Sequence, residues 1–589
     1  MTYTSNPPKP DHEEPAWPGK QEQVISDAEL PLQKLYACER DWASRSFLTQ
    51  TTAEGTREWS WEQAMDDSRR VAAYLKSQGW PPGSRIAIFS KNSAWWIMAD
   101  FAIWMAGFIS VPVYASIRET SLLAILNESQ PVACFLGPVD QDVPAWDSNE
   151  HAVLPAMQFV TFPNIAEIKL THKTVQWNRL VKEQSPLPGE LSCKWSDVAT
   201  IIYTSGTTGA PKGVMQSFQA ISLMGKSVLR GLPPAALENA RVVSYLPLAH
   251  IAERGIVEAM ALFTPLHIFF VENQQTFLRD LKRARPTIFF TVPRLLMRFQ
   301  QGAFEKIPEK RLAMLLRVPI LGPVLRKRIL RGLGLDSVLL AASGAAPLRV
   351  DLLLWYRRLG LNLVEGYGMT ETGITHVPLQ GRLRAGYVGE ASPYAHTRIA
   401  QDGEVQIQGS MNLLGYYQNP TSTAAAFTQD GYFRTGDRGE IDEDGRLRIV
   451  GRLKEEFKTA KGKYVIPGPI ENILSATTLF DSVCVLGSGM AAPFVLAVLT
   501  AEQSIKRNNP ASRGGLEREL DRAIAHANSQ LEPHERLRFL VVCDEPWTTA
   551  NGFLTPTLKV RRSMIEDRYS SSFDQWEQSG QSILWLGTQ

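Results

Sequence analysis

The segment from Ala94 to Ala115, "AWWIMADFAIWMAGFISVPVYA", is long and apolar enough to cross a bilayer and carries one charge, Asp100. It must be wrapped either in lipid or in protein. Its neighbours favour protein: "SRIAIFSKN" just upstream reads as a strand, and "ISVPVY" after Gly107 reads as another, so a buried helix between two strands is expected. The pattern recurs. "DVATIIYTSG", "ARVVSYLPLAH", "LHIFFVE" and "PTIFFTVP" are further apolar runs separated by helical stretches, and such alternation specifies α/β layers with largely parallel sheets.

From about Gly403 the texture changes to short strands and Asp-Gly turns, as in "DGEVQIQG", "DGYFRTGD" and "DEDGRLRIVG". A charged segment, "RLKEEFKTAKGKY", then precedes strand candidates "SVCVLGSG", "FVLAVLTAE" and "RFLVVCDE" and a helix near Leu516 to Leu531. A domain boundary is expected at Arg452 to Lys454. At 589 residues the chain is in any case too long for one compact domain.

Composition narrows the function. Charged residues make up 21% and the formal net charge is +2, so no strongly basic domain marks a nucleic-acid binder. The five cysteines are scattered without a CxxC or Cys/His cluster, which points to a reducing cytoplasm and no structural zinc. Residues 1–20 lack the basic start and apolar run of a signal peptide and are expected to form a flexible tail. Between Lys306 and Arg331 eight basic residues stand against one acid, Glu309, interleaved with leucines. That composition suits either a solvated face or peripheral contact with an anionic membrane, interrupted as a helix by Pro319 and Pro323.

One stretch has almost nothing to bury. "YTSGTTGAPKGV", from Tyr203 to Val214, holds three glycines, four small hydroxyls, a proline and Lys212 directly after an apolar strand. Backbone N–H groups there can approach a ligand closely, and Thr204, Ser205, Thr207 and Thr208 add donors around Gly206 and Gly209. The combination is complementary to a polyphosphate. It is neither a Walker loop, since Gly213 follows Lys212, nor a dinucleotide fingerprint.

Six further motifs follow in order: "YLPLAHIAER", "SGAAPL", "EGYGMTET", "YFRTGD", "GRLKEEFKTAKGKYVIP" and "NGFLTPTLKVRR". With "YTSGTTGAPKGV" they resemble the signatures of the adenylate-forming (AMP-binding) superfamily over roughly residues 45 to 575. "YLPLAHIAER", "FKTAKGKYV" and "LTPTLKVRR" are similar to the long-chain fatty acyl-CoA synthetases in particular. The resemblance implies a large N-terminal domain of stacked α/β sheets with a small β-barrel-like subdomain, over 21–451, and a small mobile α+β lid domain over 452–589. It implies ATP, Mg²⁺ and CoA as partners of a fatty acid, with acyl-AMP formed first and then transferred to CoA. A cytoplasmic location, in contact at most with the inner face of a membrane, is the matching expectation.

Residue roles follow from the same resemblance. The Ser205–Lys212 loop would cradle the β- and γ-phosphates, with Thr204 at its base. Glu371 matches the magnesium-associated glutamate and Thr370 an α-phosphate contact. Gly344, Ala345, Glu365 and Gly366 would let backbone approach the base, with Tyr367 against the adenine. Asp437 would accept from the ribose hydroxyls beside Arg452. Lys559 would neutralise charge on the carboxylate and α-phosphate, Lys454 would be the hinge, and His250 would orient the reacting carboxyl group. The acyl pocket is expected between Ile251 and Arg294. An acyl-AMP ligase serving a carrier protein, an amino-acid adenylation domain and a non-catalytic acyl-ligand sensor remain alternatives on the same motifs.

Overall fold

The structure, a computed structural model, describes residues 22–52, 55–139, 157–165, 174–205, 211–273, 275–555 and 559–587. The tail expected over 1–20 lies outside them. The Arg85–Phe89 strand is central to an eight-stranded sheet, with parallel neighbours Ile109–Val113 and Ala133–Leu136. Between the first two strands runs the helix Ala94–Met105, capped by Ser93 Oγ on Trp96 N at 3.2 Å and buried at every residue. The βαβ unit expected from sequence is therefore present, and its apolar helix is covered by protein all round. Among the described residues no helix is long and apolar enough to cross a membrane.

Asp100 is accommodated in that helix by Arg254, which also contacts Glu258 at 2.9 Å and Thr200 Oγ1 at 2.7 Å. The guanidinium lies over the Trp96 and Trp104 rings, 5.5 and 5.7 Å from their centroids. A charge that deep persists only with such partners. Desolvation first, and the Asp100 charge second, hold the Glu258 carboxyl well above the usual carboxylate range.

A second sheet orders Arg241–Ser244, His267–Phe270, Ser46–Thr52 and Gly55–Ser60, and a third holds three parallel strands, Ile288–Thr291, Leu340–Ser343 and Leu363–Glu365. Beside them stands a seven-stranded antiparallel sheet. It begins at Tyr367, earlier than the change of texture near Gly403. Its first strands, Tyr367–Met369, Gly373–Val377 and Gly389–Ala391, are three to five residues long and too short to show an alternating pattern.

After the strand Arg446–Arg452 the chain makes a single 3₁₀ turn, Leu453–Glu455, and enters a smaller unit. Its sheet joins Phe480–Leu486, Phe494–Leu499, Leu540–Cys543 and Ile583–Trp585 around a core of its own. The helix expected near Leu516 to Leu531 runs from Pro510 to Asn528, because Asn509 caps it on Ala511 N at 3.0 Å and Pro510 supplies the preset first turn.

Several contacts seat this unit on the large one. Arg294 Nη2 reaches both oxygens of Asp481 at 2.8 and 2.7 Å, Arg349 Nη1 donates to Ser475 O at 2.8 Å, and Arg118 Nη2 donates to Ala550 O at 3.0 Å. Gly552, at φ +80°, is pressed against the Arg118 guanidinium, where any Cβ would lie 2.0 Å from Nη2.

Candidate active site

The candidate site lies at the carboxyl ends of parallel strands, where open α/β sheets bind ligands. Strand Leu340–Ser343 delivers Gly344 and Ala345, and strand Leu363–Glu365 delivers Gly366. The two turns are sewn together: Gly366 N donates to Ser343 O at 2.9 Å, and Leu348 N donates to Glu365 Oε1 at 2.7 Å. Burial pushes the Glu365 carboxyl up to about 7. A Cβ on Gly344 would come within 3.4 Å of Gly366 O, and Ala345 sits at φ +65°, a conformation costly for a residue with a Cβ. The backbone of "SGAAPL" is thus held flush against that of "EGYG", which suits a flat ring approaching both.

Glu371 is buried, accepts from the Tyr416 hydroxyl at 3.1 Å, and has its pKa raised by desolvation against the pull of Tyr416, Arg452 and Lys212. Lys212 lies over the Tyr416 ring at 5.2 Å, so Tyr416 bridges the lysine and the carboxylate. Gln216 Nε2 donates to Thr370 O at 2.6 Å, fastening the phosphate-loop strand to the Thr370–Glu371 turn. Sequence reading missed both Tyr416 and Gln216. Thr204 pairs with Lys212 in the hairpin of Val198–Ser205 with Pro211–Ser217. Gly206, Thr207, Thr208 and Gly209 lie outside the described residues, as does the Ser205 side chain. A buried carboxylate linked through Tyr416 to a lysine fits a hard cation carrying phosphate oxygens.

Asp437 and Arg452 face each other across the ladder of Phe433–Ile441 with Arg446–Arg452, and Arg452 Nε lies 2.7 Å from Asp437 Oδ1. Tyr367 donates its hydroxyl to Asp437 Oδ2 at 2.5 Å. Tyr367 is thereby fixed by its phenol, with its ring edge-on to His376. Desolvation raises the Asp437 pKa, while Arg452, Tyr367 and Lys559 oppose the rise.

His250 caps the turn Ile251–Glu253 by accepting from Ala252 N at Nδ1, 3.2 Å away. The hydrogen of the neutral ring therefore sits on Nε2. Burial, and secondly the charge of Lys559, lower its pKa to about 4, so the ring is neutral at pH 7. Behind it Glu253 accepts from Ser244 Oγ at 2.9 Å and Tyr245 N at 3.0 Å, and Asn92 Oδ1 receives Leu248 N at 2.9 Å. Burial raises Glu253 to about 8. These two residues brace the "YLPLAHIAER" turn.

Lys559 comes from the smaller unit. Its loop is tied at the base by Thr555 N on Lys559 O at 2.8 Å and Lys559 N on Thr555 Oγ1 at 3.0 Å. The side chain keeps access to solvent, yet desolvation in the cleft and then the Arg452 charge hold its ammonium below the usual lysine range. Asp437, Glu455 and Glu371 pull the other way. The structure thus brings Lys559 within electrostatic reach of His250, Glu371, Asp437 and Arg452, which together form the candidate site. Lys454 stands exposed in the 3₁₀ turn, outside it. The region expected to form the acyl pocket includes a buried π-helical turn, Arg254–Ala259, followed by buried Met260, Ala261 and Leu262.

Residues 38–417 match the AMP-binding enzyme family, and residues 456–579 match the AMP-binding enzyme C-terminal domain. The chain belongs to the AMP-binding enzymes. Among curated relatives, "Long-chain-fatty-acid--CoA ligase FadD15" of Mycobacterium tuberculosis is 30% identical over 560 residues, covering 87% of this chain and 91% of that protein. "Long-chain-fatty-acid--CoA ligase 1" of Homo sapiens is 26% identical, covering 88% and 82%. Among solved structures, the adenylation domain of a carboxylate reductase from Mycobacterium chelonae superposes with a TM-score of 0.79 at 21% identity, covering 95% and 92% of the two chains. The O-succinylbenzoate coenzyme A synthetase of Bacillus subtilis, in complex with AMP, gives 0.67 at 19%, covering 91% and 98%. This AMP-binding enzyme therefore has the family's fold, a large α/β part with sheets and a smaller C-terminal domain.

Proposed function

We propose that this AMP-binding enzyme activates a long-chain fatty acid with ATP and passes the acyl group to CoA. The observation that carries the proposal is that Lys559, from the C-terminal unit, lies within electrostatic reach of His250, Glu371, Asp437 and Arg452. In the first step a carboxylate oxygen attacks the α-phosphorus, the bond to the β-phosphate oxygen breaks, and pyrophosphate leaves. Two anions must meet, so positive charge and alignment matter more than proton transfer. Lys559 would sit on the reacting carboxylate and α-phosphate, and Lys212 with the Ser205–Gly209 loop on the departing phosphates. His250 would donate its Nε2 hydrogen to the carboxylate and stay neutral throughout. Asp437, oriented by Arg452 and Tyr367, would accept from the ribose hydroxyls. Glu371 would hold Mg²⁺ and Thr370 would contact the α-phosphate; the ion, when bound, would supply positive charge to the phosphates.

In the second step the CoA thiol attacks the acyl carbon, the bond to AMP breaks, and the thiol proton is released. Lys559 has no task there. The chain would divide into 21–451 and 452–589, rotate at Lys454 and present the hairpin of Phe457–Lys458 with Tyr464–Val465, whose turn holds Gly462 at φ +75°. The likeness to long-chain-fatty-acid CoA ligases supports the acid class, and such amphiphiles extend the proposal to peripheral contact with a membrane.

ATP–pyrophosphate exchange across a panel of carboxylates, with and without CoA, tests this. Exchange with long-chain acids and thioester on adding CoA is expected. Exchange without thioester would transfer the acyl group to another acceptor, and no exchange with any acid would refute the activity.

A further inference from the structure

The basic segment folds into two helices, Glu309–Leu315 and Leu321–Leu333, that turn back on each other. Pro319 lies in the connection, but Pro323 does not interrupt the second helix, because it occupies the first turn, where its missing N–H has no helical partner to lose. Gly322 N donates to Val318 O at 2.8 Å, Arg326 Nη2 donates to Leu316 O at 3.1 Å, and a Cβ on Gly322 would stand 2.5 Å from that same carbonyl. The tip is therefore closely built.

Its inner face is satisfied: Leu312 is buried, and Leu316, Ile329, Leu330 and Leu333 pack on the core that includes Phe299 and Tyr356. The outer face is not. Ile320 is 85% exposed, Met314 62% and Val324 61%, with Val318 and Leu321 also exposed beside them. Around this apolar tip Lys310, Arg311, Arg317, Lys327 and Arg328 are exposed and make no ion pair among the described residues.

We infer that the tip of this hairpin, Met314 to Val324 with its ring of lysines and arginines, docks on an anionic phospholipid bilayer. Bare aliphatic side chains cost little at the acyl boundary of a membrane, while each basic residue near an anionic surface strengthens attachment several-fold. A second copy of the chain is a poorer occupant, since a two-fold contact through this patch would set its unpaired cations against themselves. The docking gains its purpose from the proposed activity, because a long-chain acid resides in the bilayer, but it does not depend on that activity.

Vesicle co-sedimentation of the full chain is the test, using pure phosphatidylcholine and phosphatidylcholine with about one third phosphatidylglycerol, at low and high salt. Binding to the anionic vesicles is expected to be at least about tenfold tighter than to neutral ones and weakened by salt. Met314→Ser/Ile320→Ser/Val324→Ser, and separately Lys310→Gln/Arg311→Gln/Lys327→Gln/Arg328→Gln, should each weaken it about tenfold or more while thioester formation from a short soluble acid stays unchanged. Wild-type protein that ignores anionic vesicles, or variants that bind as tightly as wild type, would overturn the assignment. So would a dimer in analytical ultracentrifugation that the serine variant dissolves while vesicle binding persists. Vesicle binding lost in the variants supports it even if the chain turns over no acid, so the two proposals fail separately.

Discussion

Arg452 Nε lies 2.7 Å from Asp437 Oδ1, and the two residues sit directly opposite each other on adjacent antiparallel strands. The ladder, rather than side-chain flexibility, sets their separation. With Tyr367 donating to the other oxygen, the Asp437 carboxylate is aimed from two sides. Asp437→Asn keeps the shape but removes the charge and leaves Arg452 without its counter-ion. The apparent KM for ATP should rise by roughly ten- to a hundredfold, the scale of a lost charge-assisted hydrogen bond. Steady-state kinetics in ATP check this, and an unchanged KM would remove Asp437 from the nucleotide site.

His250 refuses a proton until about pH 4, against an ordinary value of 6.5. Between those pH values the unfolded chain binds a proton that the folded one excludes. The contribution of His250 to stability is therefore complete above pH 6.5 and is lost as pH falls toward 4. Denaturation titrations of wild type and His250→Gln should show the smaller slope in the variant across that window. The pH profile of pyrophosphate exchange should carry no inflection near 6.5 that depends on His250. An inflection there that vanishes in His250→Gln would mean the ring works as a base.

The Asp100–Arg254–Glu258 cluster makes two unequal demands. Desolvation disfavours the charged form of Glu258, and Glu258→Gln keeps an oxygen for Arg254 Nε to donate to, so it should change stability by no more than about 1 kcal/mol. Asp100→Ala takes away one of the two buried carboxyl partners of Arg254 and should cost about 3–5 kcal/mol in urea unfolding. Equal costs for the two would contradict the reading of Asp100 as the main counter-ion of Arg254.

These contrasts also mark what could be read in the sequence. The Ala94–Met105 helix and the strands flanking it were legible because their apolar runs are contiguous and bounded by turn residues. Gly344, Gly366 and His250 were picked out by the motifs that hold them, and the structure sets Gly344 and Gly366 directly after strands. Tyr416 was not, since it reaches Glu371 across forty-five positions of chain and a tyrosine's hydroxyl partner leaves no spacing to read. The start of the antiparallel sheet at Tyr367 was hidden for the opposite reason, strands too short to show a period. Exposure of Ile320 and Val324 was also beyond reach, because their sequence context matches that of Ile329 and Leu330, which pack inward.

Arg294 and Asp481 join the two units by a pair in which Nη2 faces both carboxylate oxygens, about one third exposed on each side. Such a pair is worth no more than about 1 kcal/mol. Arg294→Ala should slow the adenylation half-reaction by a factor of a few and leave thioester formation from supplied acyl-AMP unaffected. The effect should shrink at high salt, and Arg294→Asp combined with Asp481→Arg should restore part of the rate. Equal slowing of both half-reactions would show that the contact does not favour the arrangement that brings Lys559 into the cleft.

The most direct measurement separates the two half-reactions in Lys559→Ala. In a folded variant, pyrophosphate exchange with a long-chain acid should fall by at least about a thousandfold, while acyl-AMP and CoA supplied together still give thioester near the wild-type rate. Loss of both half-reactions to the same degree, or exchange that survives without the lysine, would contradict the assignment of this cleft as the site where acyl-AMP is made.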